Sequence, residues 1–496
     1  MADCSGSTPV GMELVELTAT QAVAAMKAGD ITAEAYAAAL LARAGSLKFL
    51  NALISQDADQ ILEAARSADR LRAAGGELRP LHGLPPLLKD NINTAALPTT
   101  AGTPGLRNNR PRHDAPVAAA LFRVGGILFG KANMHELALG ATSNNSAFGA
   151  VRNPYDPSKI SGGSSGGNAS AVAARIVPAG LGTDTGGSVR IPAALCGVAG
   201  FRPTTRRYPS RGTRLPPTMG WEPGAGIVPI SHTCDTAGPI ARSVADLVLL
   251  DAAITAEVPA LAPVDLKGLR LGVAHGNFFT NLDPKLERVI AEALRRLRDR
   301  GVVLVEADIP DLATLNSRVS FPIRAFEPPH DLSRYLAENG SGISLSELIS
   351  AIVSPEVKGI LESLTGPRAT PLAVYQDAIH IHRPALQEAY EAYFREFDVA
   401  ALVFPTTRLP ARPIGQDAAV ELNGQLVPTF RVYIHNTAPG GNAGIPGLSI
   451  PAGLTSDGLP VGLEFDGPAG SDRTLLAIGL AVEEVLGPLP APKLVI

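Results

Sequence analysis

Two glycine- and serine-rich strings and one upstream lysine hold the residue types best suited to chemistry. The strings are Gly162-Gly163-Ser164-Ser165-Gly166-Gly167 and Gly182-Thr183-Asp184-Thr185-Gly186-Gly187-Ser188-Val189-Arg190; the lysine is Lys89, in Leu87-Leu88-Lys89-Asp90-Asn91. A serine hydroxyl attacks a carbonyl only when a base takes its proton, and backbone N–H groups freed by glycine can hold the negative charge that develops. Two serines and a lysine supply both needs without a histidine. Ser188 follows Thr185-Gly186-Gly187, whose N–H groups could line an oxyanion site, and a helix opening at Val189 would add its dipole. Lys89 ends the apolar run Leu84 to Leu88, and burial lowers a lysine's pKa until it can act as a base.

Taken singly, each feature keeps another reading. Either string can be a flexible turn or an anion cradle, and a lysine after an apolar run can bury its stem and lead its head to water. Nucleotide binding is a weak reading of Gly162–Gly167, because that string lacks the GxxxxGK[ST] lysine of a P-loop and no strand followed by GxGxxG appears there. The nine histidines form no HExxH pattern, so a zinc hydrolase is disfavoured and no metal is expected. No Gly-x-Ser-x-Gly elbow surrounds Ser188, which argues against an α/β-hydrolase nucleophile there.

The elements that must position these residues read as α/β. Residues 14–75 read as helices, with N-cap signals at Thr18 and Thr32 and a stop at Gly75-Gly76. From residue 82 to about 250, short apolar runs alternate with turns and helical windows. Leu84–Leu88, Gly125–Phe129 and Val177–Leu181 are the expected strands; Val117–Val124 and Ser170–Ala174 are the expected helices. Both serine strings then fall between a loop and a helix. Leu269–Val273, the amphipathic helix Pro284–Asp299 and Val302–Val305 form a strand-helix-strand unit of a mixed sheet. Residues 310–395 read as a more variable helical cap, and Val399–Phe404 as a buried strand.

Bulk properties fit a globular enzyme. Hydrophobic residues make up 45% and charged residues 18%, enough apolar material for a large core. Net charge is −4 with no basic arm, which gives no reason to expect nucleic acid. The cysteines, Cys4, Cys196 and Cys234, form no CxxC pair, and residues 1–20 lack a signal-peptide pattern; a reducing, cytoplasmic compartment is expected. No apolar stretch reaches the ~20 residues of a membrane span.

Together, Lys89-Asp90-Asn91, Gly162 to Gly167 and Gly182 to Ala193, with Ser164 and Ser188 24 residues apart, resemble the amidase signature family. The resemblance runs from about residue 14 to 485 and includes Gly458 to Leu463. Asn133 to Glu136, Thr142 to Asn145, Gly149 to Pro154 and Phe201-Arg202-Pro203 look most like the mandelamide and indoleacetamide hydrolases of that family. The resemblance implies one α/β/α domain over 1–496, with a twisted mixed sheet flanked by helices on both faces. It implies Ser188 as nucleophile, Ser164 as a bridging serine held by a cis peptide bond, and Lys89 as the neutral base. Backbone N–H groups of Thr185, Gly186, Gly187 and Ser188 would form the oxyanion hole, supported by Ser165, Asp184 and Arg190. No cofactor is implied.

The expected reaction is hydrolysis of a small aryl or arylalkyl amide through an acyl-enzyme; anilides and carbamates, as for a urethanase, need the same acyl chemistry. Met134, Thr142, Asn145 and Trp221 are the expected substrate contacts. Trp221 sits in a stretch, 211–226, that is longer than in the hydrolases resembled and reads as a lid or a neutral insertion. The partner expected is the small-molecule substrate, with a homodimer allowed. The alternatives are the glutaminase-type subunit of a tRNA-dependent amidotransferase, and a non-catalytic binding protein, which would have lost one of Lys89, Ser164 and Ser188.

Overall fold

A computed structural model describes residues 14–209, 226–339, 341–367 and 369–494. Its strands are β1 (Leu53–Ser55), β2 (Leu87–Lys89), β3 (Gly130–Ala132), β4 (Ala179–Asp184), β5 (Ala199–Arg202), β6 (Thr236–Ala241), β7 (Arg270–Val273), β8 (Val303–Glu306), β9 (Ala401–Pro405), β10 (Ala419–Leu422), β11 (Gln425–Pro428), β12 (Gly447–Leu454) and β13 (Pro460–Asp466). Eleven of them form one mixed sheet in the order β1-β3-β2-β4-β6-β5-β12-β13-β9-β7-β8, and β10 pairs with β11 apart from it. β2 runs parallel to β3 and β4, and β7 parallel to β8 and β9. The middle, from β4 through β9, is antiparallel.

Both faces of the sheet are covered. On β12, Leu448 and Ile450 face the helix Asp472–Leu486, where a Cβ on Gly479 would meet both. On the other face, a Cβ on Gly462 of β13 would meet Ala194. Every residue of β4, β9 and β13 is accordingly buried. The resulting fold is α/β, a mixed sheet between helical layers.

Four helices bear on the site: α1 (Gly166–Ala173), α2 (Arg190–Cys196), α3 (Leu312–Glu338) and α4 (Pro355–Thr365). α1 begins within the first serine string, at Gly166, and α2 at the last residue of the second, Arg190. Helix signals near the N-terminus are realised: Thr18 and Gln21 form a capping box, and the Thr32 side chain accepts from Ala35 N–H. No described helix is long and apolar enough to cross a membrane.

Strand edges differ from expectation for a chemical reason. The run Leu84–Leu88 becomes a strand only at Leu87, because Pro85 and Pro86 have no N–H to give to a ladder. Its neighbour therefore starts at Gly130 rather than Gly125; before that, Ile127 and Phe129 donate to the carbonyls of Leu84 and Pro86 without return. β1 interrupts the stretch 14–75 that reads as helical.

Candidate active site

Lys89 stands at the end of β2, fully buried. Its Nζ is hydrogen-bonded to Ser164 Oγ at 2.7 Å and to Thr183 Oγ1 at 2.8 Å. Burial pulls its pKa down to about 7, against the opposing pull of the Asp184 and Asp235 charges. Thr183 lies on β4, the parallel neighbour of β2, and its hydroxyl also accepts from Asn91 Nδ2 at 3.1 Å.

Ser164 is fully buried, and the peptide joining it to Gly163 is cis. Its carbonyl accepts from His135 N–H and Ser143 Oγ. Ser165 ties the two strings together: its N–H donates to the Ser188 carbonyl at 3.1 Å and its hydroxyl to the Thr183 carbonyl at 3.2 Å. Ser188 is half-buried and opens onto a cleft. No hydrogen bond joins the Ser164 and Ser188 hydroxyls in this state, so the structure brings Lys89 and Ser164 into contact and sets Ser188 beside them through its backbone.

The turn carrying Ser188 is pinned from beneath by Asp184. Its Oδ1 accepts from Gly187 N–H at 2.8 Å and its Oδ2 from Val189 N–H at 3.1 Å. Burial would raise this carboxyl, yet the Arg190 and Arg202 guanidiniums hold it well below the usual range. Arg190 binds both Asp184 oxygens at 3.2 Å and spans to Glu464 of β13 at 2.8 Å. Gly187 sits at φ +131, where a Cβ would run into Thr437 Oγ1 and Ile191, so no other residue fits.

The expected oxyanion set needs one correction. The Gly187 N–H is taken by Asp184 and is not free. Among the described residues, the N–H groups of Thr185, Gly186 and Ser188 have no protein acceptor. Thr185 is fixed by its side chain, which donates to Asp235 Oδ1 at 2.5 Å. Burial lifts Asp235 to about 6, opposed by hydrogen bonds from Ser231 N–H, Thr185 and Ile230 N–H.

The cleft in front of Ser188 has a cavity volume of about 120 Å³. Its walls are mainly apolar: Ala138 to Ala141, Ile230, Ile360 of α4, Phe430 and Ile434, with Gly163, Thr185, Gly186 and Ser188 lining it as well. Arg324 of α3 is its charged lining residue. The expected contacts Met134, Thr142 and Asn145 do not line it. Met134 packs against Ala138 and Ile230 in the core. Thr142 donates to Asp417 at 2.6 Å, and Asn145 braces the carbonyls of Gly102 and Met134 at 2.9 Å each. Their polar ends are committed to holding the 133–148 loop, whose small residues face the cleft instead. Trp221 and positions 211–225 lie outside the described residues.

Several members of the site carry no local sequence signal. Asp235, Glu464 and Arg324 reach it from separate elements, whereas Thr183 and Arg202 stand inside quoted motifs that give them no role. Only the alternation along β4, combined with its pairing to β2, could have pointed to Thr183. His232, Glu327 and Asp331 bring ligand-type atoms within 4.8 Å of one another, but these atoms are engaged with each other and with nearby hydroxyl and N–H groups.

A family model described as Amidase matches residues 35–476. The chain is similar to an indoleacetamide hydrolase of Agrobacterium vitis, with 47% identity over 447 residues, covering 90% of this chain and 92% of that one. It is also similar to a mandelamide hydrolase of Pseudomonas putida, with 40% identity, covering 97% of this chain and 93% of that one. A solved structure described as a crystal structure of amidase superposes with a TM-score of 0.82 at 31% identity, covering 95% of this chain and 100% of the other.

Proposed function

The chain belongs to the amidase family and is an amidohydrolase, and we propose that it cleaves small aryl or arylalkyl amides through Ser188, Ser164 and Lys89. The observation that carries this reading is a fully buried lysine, with its pKa drawn down to about 7, hydrogen-bonded to Ser164, whose neighbour Gly163 lines the cleft onto which Ser188 opens.

Neutral Lys89 takes the proton of Ser164 while Ser164 takes that of Ser188. Ser188 Oγ bonds to the amide carbon, and the carbonyl oxygen gains the charge. The N–H groups of Thr185, Gly186 and Ser188 are the donors for that charge. Collapse breaks the C–N bond, and the proton returns from Lys89 through Ser164 to the leaving nitrogen. Water then attacks the Ser188 ester by the same relay and releases the acid. The apolar walls suit an aryl group, in keeping with the names of the two relatives. Anilides and carbamates present the same carbonyl to the same serine and are further substrates of this proposal. The amidotransferase-subunit alternative has less support, since both relatives described above are named as hydrolases.

The test is Ser188→Ala. It should lower kcat about 10⁴-fold or more, with the fold retained by circular dichroism. Mass spectrometry of the wild type with a slow amide or carbamate should show the acyl group on Ser188. Near-full activity in Ser188→Ala would overturn the mechanism.

A further inference from the structure

Among the described residues, Arg324 is a cation with no hydrogen-bond or ion-pair partner. Its Nε and Nη2 are buried and form no hydrogen bond. Burial lowers its pKa, against the charges of Cys234, Asp184 and Asp235, yet guanidinium stays protonated in proteins. Every carboxylate near it is already engaged. Asp184 serves Arg190, Arg202 and the Ser188 turn. Asp235 accepts from Thr185, Ile230 N–H and Ser231 N–H. Glu327, one turn along α3, accepts from Ser231, Thr233 and Tyr375, and Asp331, a turn further, from His232. The acids of α3 thus face His232 and its neighbours, and Arg324 alone faces the cleft.

Its position is specific. The guanidinium lies against Gly186 so closely that a Cβ there would strike Nη2. Gly186 is two residues from Ser188, at most about 7 Å of chain. An unpaired charge in a mainly apolar cleft is costly unless a ligand completes it. A carboxylate matches the guanidinium fork, whereas a neutral aryl group leaves it unsatisfied.

Resting on the reading of Ser188 as nucleophile, we infer that Arg324 is a specificity-determining residue that binds a carboxylate held a few bonds from the scissile carbonyl. The preferred substrate class is then a monoamide that carries a free acid on its acyl part. An arylacetamide and the same amide bearing an α-carboxylate form the test pair. Wild type should show the higher kcat/KM on the carboxylate amide. In Arg324→Met the ratio of the two kcat/KM values should fall about 10- to 100-fold, mainly through KM, and Arg324→Lys should keep part of it. A wild-type ratio below one, or a ratio unmoved in both variants, overturns the inference. Measurement on wild type alone suffices if Arg324→Met does not fold. Acyl transfer to Ser188 from either amide tests the underlying mechanism separately: it fails only if that mechanism is wrong, whatever the ratio does.

Discussion

Lys89 carries the pH dependence expected of the proposed relay. Its pKa of about 7 means that below this pH it holds a proton and cannot accept one from Ser164. The kcat/KM should rise with pH through about 7 and level off above it, and a profile that is flat or falling there would remove Lys89 as the base. The same shift bears on stability. Between about 7 and the ordinary 10.5, the unfolded chain binds the proton and the folded chain does not, so this lysine's share of stability grows as pH rises across that window. Lys89, Ser164 and Ser188 were legible in the sequence because their neighbours are unusual: a buried apolar run before one, glycine strings around the others. Thr183, which shares the lysine's hydrogen bonds, was not, because one threonine on a strand looks like any other until the strand's neighbour is known.

At the scale of elements, the two serine turns are held by charges from far along the chain. Asp184 shapes the Ser188 turn, Arg190 opens the helix after it, and Glu464 arrives from β13 to complete the chain of ion pairs. All three are fully buried. Replacing Arg190 with Met leaves Glu464 without its partner and Asp184 with Arg202 alone, which should cost about 3–5 kcal/mol in urea unfolding and shift the Ser188 turn with loss of activity. A loss below about 1 kcal/mol, typical of an exposed pair, would show that the network is not what holds the turn. Asp184 and Arg190 were legible as members of their string. Glu464 lay in a stretch whose only signal was its resemblance to relatives. The apolar stripe of Pro284–Asp299 announces its helix, whereas the strand beside Leu84–Leu88 begins later than its apolar residues suggest, because Pro85 and Pro86 have no N–H to give to a ladder.

The whole molecule is closed by its last strands. β12 and β13 fill the middle of the sheet, between β5 and β9, and without them the sheet divides into two parts. A chain ending before Gly447 should therefore show no cooperative denaturant transition and no amidase activity; a sharp transition in that truncation would mean that the two parts stand alone. The alternation of short strands and helices announced an α/β sheet, but strand order was not legible, since it depends on pairings between residues hundreds of positions apart.

That order also sets a schedule for synthesis. Everything up to β9 is made before the two strands that join its halves, and at ordinary translation rates the span that holds them, 447–466, takes about 1–4 s. During this interval β5 and β9 each offer an open edge to any neighbouring nascent chain, and Arg190 waits without Glu464. The chain is thus most prone to mispairing until β12 and β13 have been made. The yield of active protein should then depend on how crowded the nascent chains are.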